Sequence, residues 1–137
     1  MNNSDSVVMR TVLHVAVDNG EFKKVRTLID SGDDVNIPDN FKCTPLFSAA
    51  NTGNCKIARL LLKHGANVNT AIGDGYTPLH QAAYKGNLEV AKLLIQHGAD
   101  VNAVDCMGET PLRVAEHYNK PDVSELLKTT QEVTNHE

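Results

Sequence analysis

The chain has 137 residues, 41% of them apolar and only 4% aromatic, with no tryptophan and a formal net charge of −4. That length fits one domain, and its core must be aliphatic and alanine-rich. The acidic balance argues against a basic face that grips nucleic-acid phosphates, and no run of about eighteen apolar residues is present to span a membrane.

The N-terminal stretch MNNSDSVVMR lacks the charged-then-apolar profile of a signal peptide. The three cysteines, Cys43, Cys55 and Cys106, are odd in number and far apart, which fits free thiols in a reducing compartment. An intracellular protein, cytoplasmic or nuclear, is therefore expected.

Taken in chain order, the sequence repeats itself. TVLH at Thr11–His14 returns as TPLF at Thr44–Phe47, TPLH at Thr77–His80 and TPLR at Thr110–Arg113, each a step of 33. Gly20, Gly53 and Gly86 keep the same step, as do Gly32, Gly65 and Gly98, and the pairs Val35-Asn36, Val68-Asn69 and Val101-Asn102. Each unit opens on a threonine whose hydroxyl suits a helix N-cap. Pro45, Pro78 and Pro111 follow at the first helical position, where a missing N–H costs nothing. Leu46, Leu79 and Leu112 then turn inward, and Ala49-Ala50 and Ala82-Ala83 let neighbouring helices approach closely. Gly53 and Gly86 suit a left-handed stop. A second helix carries Ile57, Leu60, Leu61 and Leu62 in one unit and Val90, Leu93, Leu94 and Ile95 in the next, and Gly65 and Gly98 end it. The stretches Ala66–Tyr76 and Ala99–Glu109 read as projecting, hairpin-like turns. One unit cannot cover its own apolar surface, so units must stack.

TPLHQAAYKGNLEVAKLLIQHGADVN, preceded by TPLFSAANTGNCKIARLLLKHGANVN, resembles the ankyrin repeat, with its period of about 33 residues and its T-P-L-H-x-A signature. The resemblance implies an all-α solenoid of helix-turn-helix units joined by projecting β-hairpin-like turns. Four repeats are expected, at about 6–38, 39–71, 72–104 and 105–137, with a frayed tail from about 130. Lys24 and Thr27 stand where inner repeats have Ile57/Val90 and Leu60/Leu93, and Glu116 and Lys128 where they have Ala50/Ala83 and Leu62/Ile95. These polar substitutions read as an N-capping first repeat and a C-capping last one, closing the stack as complete. Asn119 replaces the helix-stop glycine, Pro121 takes an apolar position compatible with a first helical turn, Ile72 replaces the turn aspartate seen as Asp39 and Asp105, and Lys42 replaces a turn glycine.

Candidates for chemistry have plainer structural explanations. His14 and His80 read as buried residues near helix starts that bond the adjoining turn, a slot filled elsewhere by Phe47 and Arg113. His64 and His97, on stacked units about 8–10 Å apart, are too distant to share a zinc ion. Cys55 reads as a small core residue, and Cys43 and Cys106 as turn thiols without a base or partner. No phosphate loop or nucleophile elbow occurs. Asn36, Asn69 and Asn102 read as turn residues bonding local backbone. Ankyrin repeats are also substrates of asparaginyl hydroxylation, and LIDSGDDVN and LIQHGADVN look like its pattern, which makes Asn36 and Asn102 candidates for mass spectrometry. No catalytic residue, metal site or cofactor is expected.

The resemblance further implies a concave surface, lined by turn tips and the exposed side of each first helix, that holds a protein or peptide partner. Carried onto this chain, those slots are Asn40, Phe41, Cys43, Asn51 and Thr52, then Asp74, Tyr76, Tyr84 and Lys85, then Cys106, Met107, Glu109, His117 and Tyr118. All three tyrosines fall there, and amphipathic aromatics are favoured anchors at interfaces. The expected function is a non-enzymatic, monomeric interaction module; the alternative is a small inhibitor or adaptor that blocks a partner's functional site. Leu61 and Leu94 are expected to be frame residues, whereas Tyr76→Ala and Tyr84→Ala should leave melting nearly unchanged and weaken binding.

Overall fold

Threonine caps, glycine stops and the 33-residue step produce eight helices in chain order: α1 (Val12–Asp18), α2 (Phe22–Asp30), α3 (Pro45–Thr52), α4 (Cys55–Lys63), α5 (Pro78–Lys85), α6 (Leu88–Gln96), α7 (Pro111–His117) and α8 (Pro121–Asn135). The structure is a computed structural model that describes residues 10–135, with side chains to Val133. The first helix of each pair packs on the next first helix, α1 on α3, α3 on α5 and α5 on α7; the second helices α2, α4, α6 and α8 form a parallel layer. The hydroxyls of Thr11, Thr44, Thr77 and Thr110 each accept the N–H three residues on, from His14, Phe47, His80 and Arg113. That satisfies one of the donors a helix start leaves open.

Between the two layers lies an aliphatic core. Leu13, Leu46, Ile57, Leu61, Leu94 and Leu127 are completely buried, and Ala16, Ala49, Ala50, Ala82, Ala83 and Ala115 are the small residues where helices meet. At the two ends of the described stack the polar substitutions face water: Lys24 and Thr27 on α2 are exposed, as are Glu116 and Lys128, whose charged groups lie 3.9 Å apart. Cys55, expected in the core, is only half-buried; its slot, shared with Phe22 and Leu88, lies at the margin where second helices meet solvent. From about residue 130, where a frayed tail is expected, α8 instead continues to Asn135, with Thr130 bonding back to Leu126 O at 2.8 Å.

Gly53 shows why the glycine ladder is there. Its φ of 77° is left-handed, and a Cβ at that place would lie 2.8 Å from Asn87 Oδ1 of the following repeat. Backbone conformation and close approach of the next unit act together. Asn119 adopts the same conformation without glycine, at φ 58°, as asparagine does at lower cost than other side chains.

The three turn tips are built in two ways. Asp39 Oδ1 accepts the N–H groups of Phe41 (2.8 Å) and Cys43 (3.0 Å), and Asp105 Oδ1 those of Met107 and Glu109 (both 2.9 Å). Ile72 has no carboxylate to offer. Its turn closes instead through a reciprocal backbone pair with Tyr76, at 2.8 and 3.2 Å, over two glycines at positive φ, Gly73 and Gly75. This is an isolated antiparallel bridge, and no strand forms among the described residues.

The asparagine ladder does more than hold its own turn. Asn36 Nδ2 donates to Gly65 O (3.1 Å) while its Oδ1 accepts from Asn67 N (2.7 Å). Asn69 repeats this with Gly98 O (3.2 Å) and Asp100 N (2.8 Å). The expectation of local backbone bonding is therefore corrected: these amides clamp each repeat to the following loop. Asn102 accepts from Gln131 of α8 at 3.3 Å instead.

Candidate functional site

Two of the three tips are held by histidines. His14 Nε2 donates to Cys43 O (2.7 Å) and its Nδ1 accepts from the Thr11 hydroxyl (2.8 Å). His80 Nε2 donates to Glu109 O (2.8 Å), and its Nδ1 accepts Thr77 N–H (3.1 Å). Both rings are completely buried and act as struts from a first helix to the next repeat's tip, as expected from sequence.

Burial above all, helped by the nearby Arg10 charge, lowers the pKa of His14 below the ordinary 6.5, against the opposing pull of the Cys43 carbonyl. Folding thus favours neutral His14, and the unfolded chain binds more protons around and below that pH. Its contribution to stability is complete above about pH 6.5 and is lost as pH falls. Urea midpoints measured from about pH 7.5 to about pH 5.5 should drop, and His14→Phe, which copies the Phe47 slot, should flatten that drop. An unchanged slope would remove His14 as its source.

Phe47 occupies the strut position in the second repeat and cannot bond a carbonyl. Its ring instead packs against Tyr76, centroids 6.0 Å apart, and Tyr76 stacks on His80 at 5.2 Å. Burial is the main reason the Tyr76 phenol is pushed up to about 12, with the Asp105 carboxylate adding to it. The expectation that Tyr76 resembles Tyr84 is thereby corrected: Tyr76 is part of the frame. Tyr76→Ala should cost about 1–3 kcal/mol in urea unfolding, whereas Tyr84→Ala should stay within about 1 kcal/mol. Equal midpoints for the two variants would contradict this.

Tyr76, Tyr84, Met107, Glu109 and Tyr118, five of the positions expected from sequence, line one cleft of about 370 Å³ together with Gln81, Asp105 and Val114. Tyr84 and Tyr118 meet edge to face at 4.6 Å, and His117 packs on Tyr118 at 4.7 Å. Tyr84 is 40% exposed, Tyr118 48% and Met107 79%, so the cleft floor is aromatic yet open to solvent. A second hollow, about 610 Å³, joins Asn51, Thr52, Tyr84, Lys85 and Tyr118 with Asn87 and Lys120. The two share the tyrosine pair. Glu109 and His117 line a smaller hollow, about 280 Å³, with Arg113 and Glu116.

Asn40, Phe41, Asp74 and Cys106 are exposed at tips but line neither of the two tyrosine clefts; Phe41 is 57% exposed. Cys43 is half-buried, and burial first, then the Asp39 carboxylate, pushes its thiol up, away from the thiolate form. Gln81 and Val114 are missing from the sequence-derived set. Gln81 bonds Asn51 across repeats at 2.6 Å. No sequence signal marks them: Ser48, Gln81 and Val114 share one repeat position, yet Ser48 and Val114 are buried there and only Gln81 is half-buried. No group of three or more His, Cys, Asp or Glu side chains that could hold a metal ion occurs among the described residues.

Stacked helix pairs with clamped loops and a shared core define a helical repeat solenoid. A family model described as ankyrin repeats (3 copies) matches residues 1–72, and one described as ankyrin repeats (many copies) matches residues 61–115. The chain belongs to the ankyrin repeat family. No curated protein was found to match it. Ankyrin repeats are in general protein–protein interaction modules. Among the described residues no helix is long and apolar enough to cross a membrane.

Proposed function

We propose that this chain binds a protein or peptide partner on the surface formed by its turn tips and first helices, with Tyr84 and Tyr118 as the central anchors. The observation that supports this best is the exposed, edge-to-face tyrosine pair lying between two clefts that gather most of the expected contact positions. Tyrosines supply a large apolar face and a hydroxyl with few rotamers to freeze. The frame behind them is fixed by the His80 strut, so little ordering entropy is lost on docking. The three unpaired cysteines fit a partner met in a reducing compartment.

The test is capture from the native lysate with wild type and with a Tyr84→Ala/Tyr118→Ala double variant whose melting is matched. Proteins retained by wild type and lost with the variant support this surface. Identical retention would move the binding site elsewhere.

A further inference from the structure

The layer of second helices carries a surface of different character. Between α2 and α4 lies a cleft of about 420 Å³ whose apolar edges are Phe22 and Leu60, and around it stand Arg26, Lys56, Arg59, Lys63 and His64. Asp30 is the single carboxylate in its lining. The Lys56 ammonium sits 4.3 Å from the centre of the Phe22 ring, a cation–π contact that keeps the charge beside the apolar floor. Arg59 makes a long contact to Cys55 Sγ, 3.7 Å, and no ion pair with a carboxylate among the described residues. The ion pairs among the described residues use Arg10, Lys92 and Lys128, so none of the four cations around this cleft is neutralised by one. Four cations without an ion pair among the described residues thus converge on a hollow with apolar edges, in a chain whose net charge is −4.

We propose that this cleft is a second docking site, for an extended acidic segment of a partner protein that inserts one large apolar side chain between Phe22 and Leu60. The charge pattern selects acidic neighbours, and the hollow selects an apolar centre. Exposed like charges held together raise each other's energy, and a counter-charged ligand relieves this while steering the encounter. A nucleic acid is the weaker match. Its phosphates would use the cations but not the apolar floor, and the chain's overall negative charge opposes long-range attraction. The site sits on the second-helix layer, so it is separate from the tyrosine surface and does not depend on it.

The probe is a pool of short peptides, Asp or Glu at every position except a randomised centre, presented to the immobilised full chain. Retained peptides should be enriched in Phe, Leu, Ile or Met at the centre and should be released by salt. Arg59→Glu/Lys63→Glu, both at exposed positions, should lower retention about tenfold with unchanged melting. Tyr84→Ala/Tyr118→Ala should leave it unchanged, which separates this site from the tyrosine surface. No central preference, or equal retention by the charge-reversed chain, overturns the proposal. So does tighter binding of a single-stranded oligonucleotide or of phosphatidylserine vesicles than of the selected peptides.

Discussion

Leu94→Ala is expected to destabilise the protein by about 2–5 kcal/mol. Leu94 is completely buried in α6, within an inner repeat whose neighbours cover it on both sides. Removing its branched end leaves a cavity among aliphatic side chains that already pack in fixed positions, and the surroundings relax only partly. In a stack, the lost contacts also weaken coupling between units. The urea midpoint should fall, and the transition should broaden if the units begin to unfold separately. Leu61→Ala, at the equivalent buried position of α4, should behave alike. Leu112, half-buried in α7, is the internal comparison. A Leu94 effect no larger than that of Leu112→Ala would mean that the inner repeats do not carry the core.

Asp39→Ala should cost about 2–4 kcal/mol, an unusual amount for a residue in a surface turn. The Asp39 side chain is fully buried, and Arg10 Nη1 lies 2.9 Å from its Oδ2. The other oxygen takes two backbone N–H groups of the tip. Arg10 in turn reaches Asp18 at 2.6 Å and the Ser48 hydroxyl at 3.0 Å, so one carboxylate ties the tip to α1 and α3. Alanine would strand two N–H donors and part of a guanidinium. The neighbouring tip shows what dispensing with the aspartate requires: Ile72 closes its turn only with Gly73 and Gly75 in positive-φ positions. The Asp39 tip has Lys42 at φ 68° instead, already a costly conformation for a side chain, and so leans on Asp39. Asp39→Asn keeps one acceptor and should lose roughly half as much. A melting midpoint equal to wild type for Asp39→Ala would show that the Arg10 pairing adds nothing.

The helices were legible in the sequence because their determinants are local and recur. A threonine oxygen reaches an N–H three residues on, a glycine takes a left-handed stop, and a leucine faces inward where a following unit covers it, as Leu46 and Leu79 do and half-buried Leu112 does not. The candidate surface was legible in part. The slots carried over from the repeat include Tyr84, Tyr118 and Met107, which the fold brings to one cleft, but nothing in the repeat marks Tyr76 as packed against Phe47 of the preceding unit, or Gln81 and Val114 as lining that cleft. The reason is a spacing the period conceals. Arg10 meets Asp39, His14 meets Cys43, Asn36 meets Gly65 and His80 meets Glu109, each at a separation of 29, four short of the repeat. Matching residues 33 apart finds equivalent positions; contacts between units join non-equivalent ones.

The repeat, the helix ends, the aliphatic core and the polar residues at both ends of the described stack follow from the order of residues alone, since each depends on backbone chemistry within one unit or on which residues avoid water. Which side chains cross from one unit to the next follows from the stacking of the units instead. The asparagine clamps, the Arg10–Asp39 tie and the cationic cleft between α2 and α4 exist because stacking brings different positions of adjacent units within hydrogen-bond or Coulomb reach.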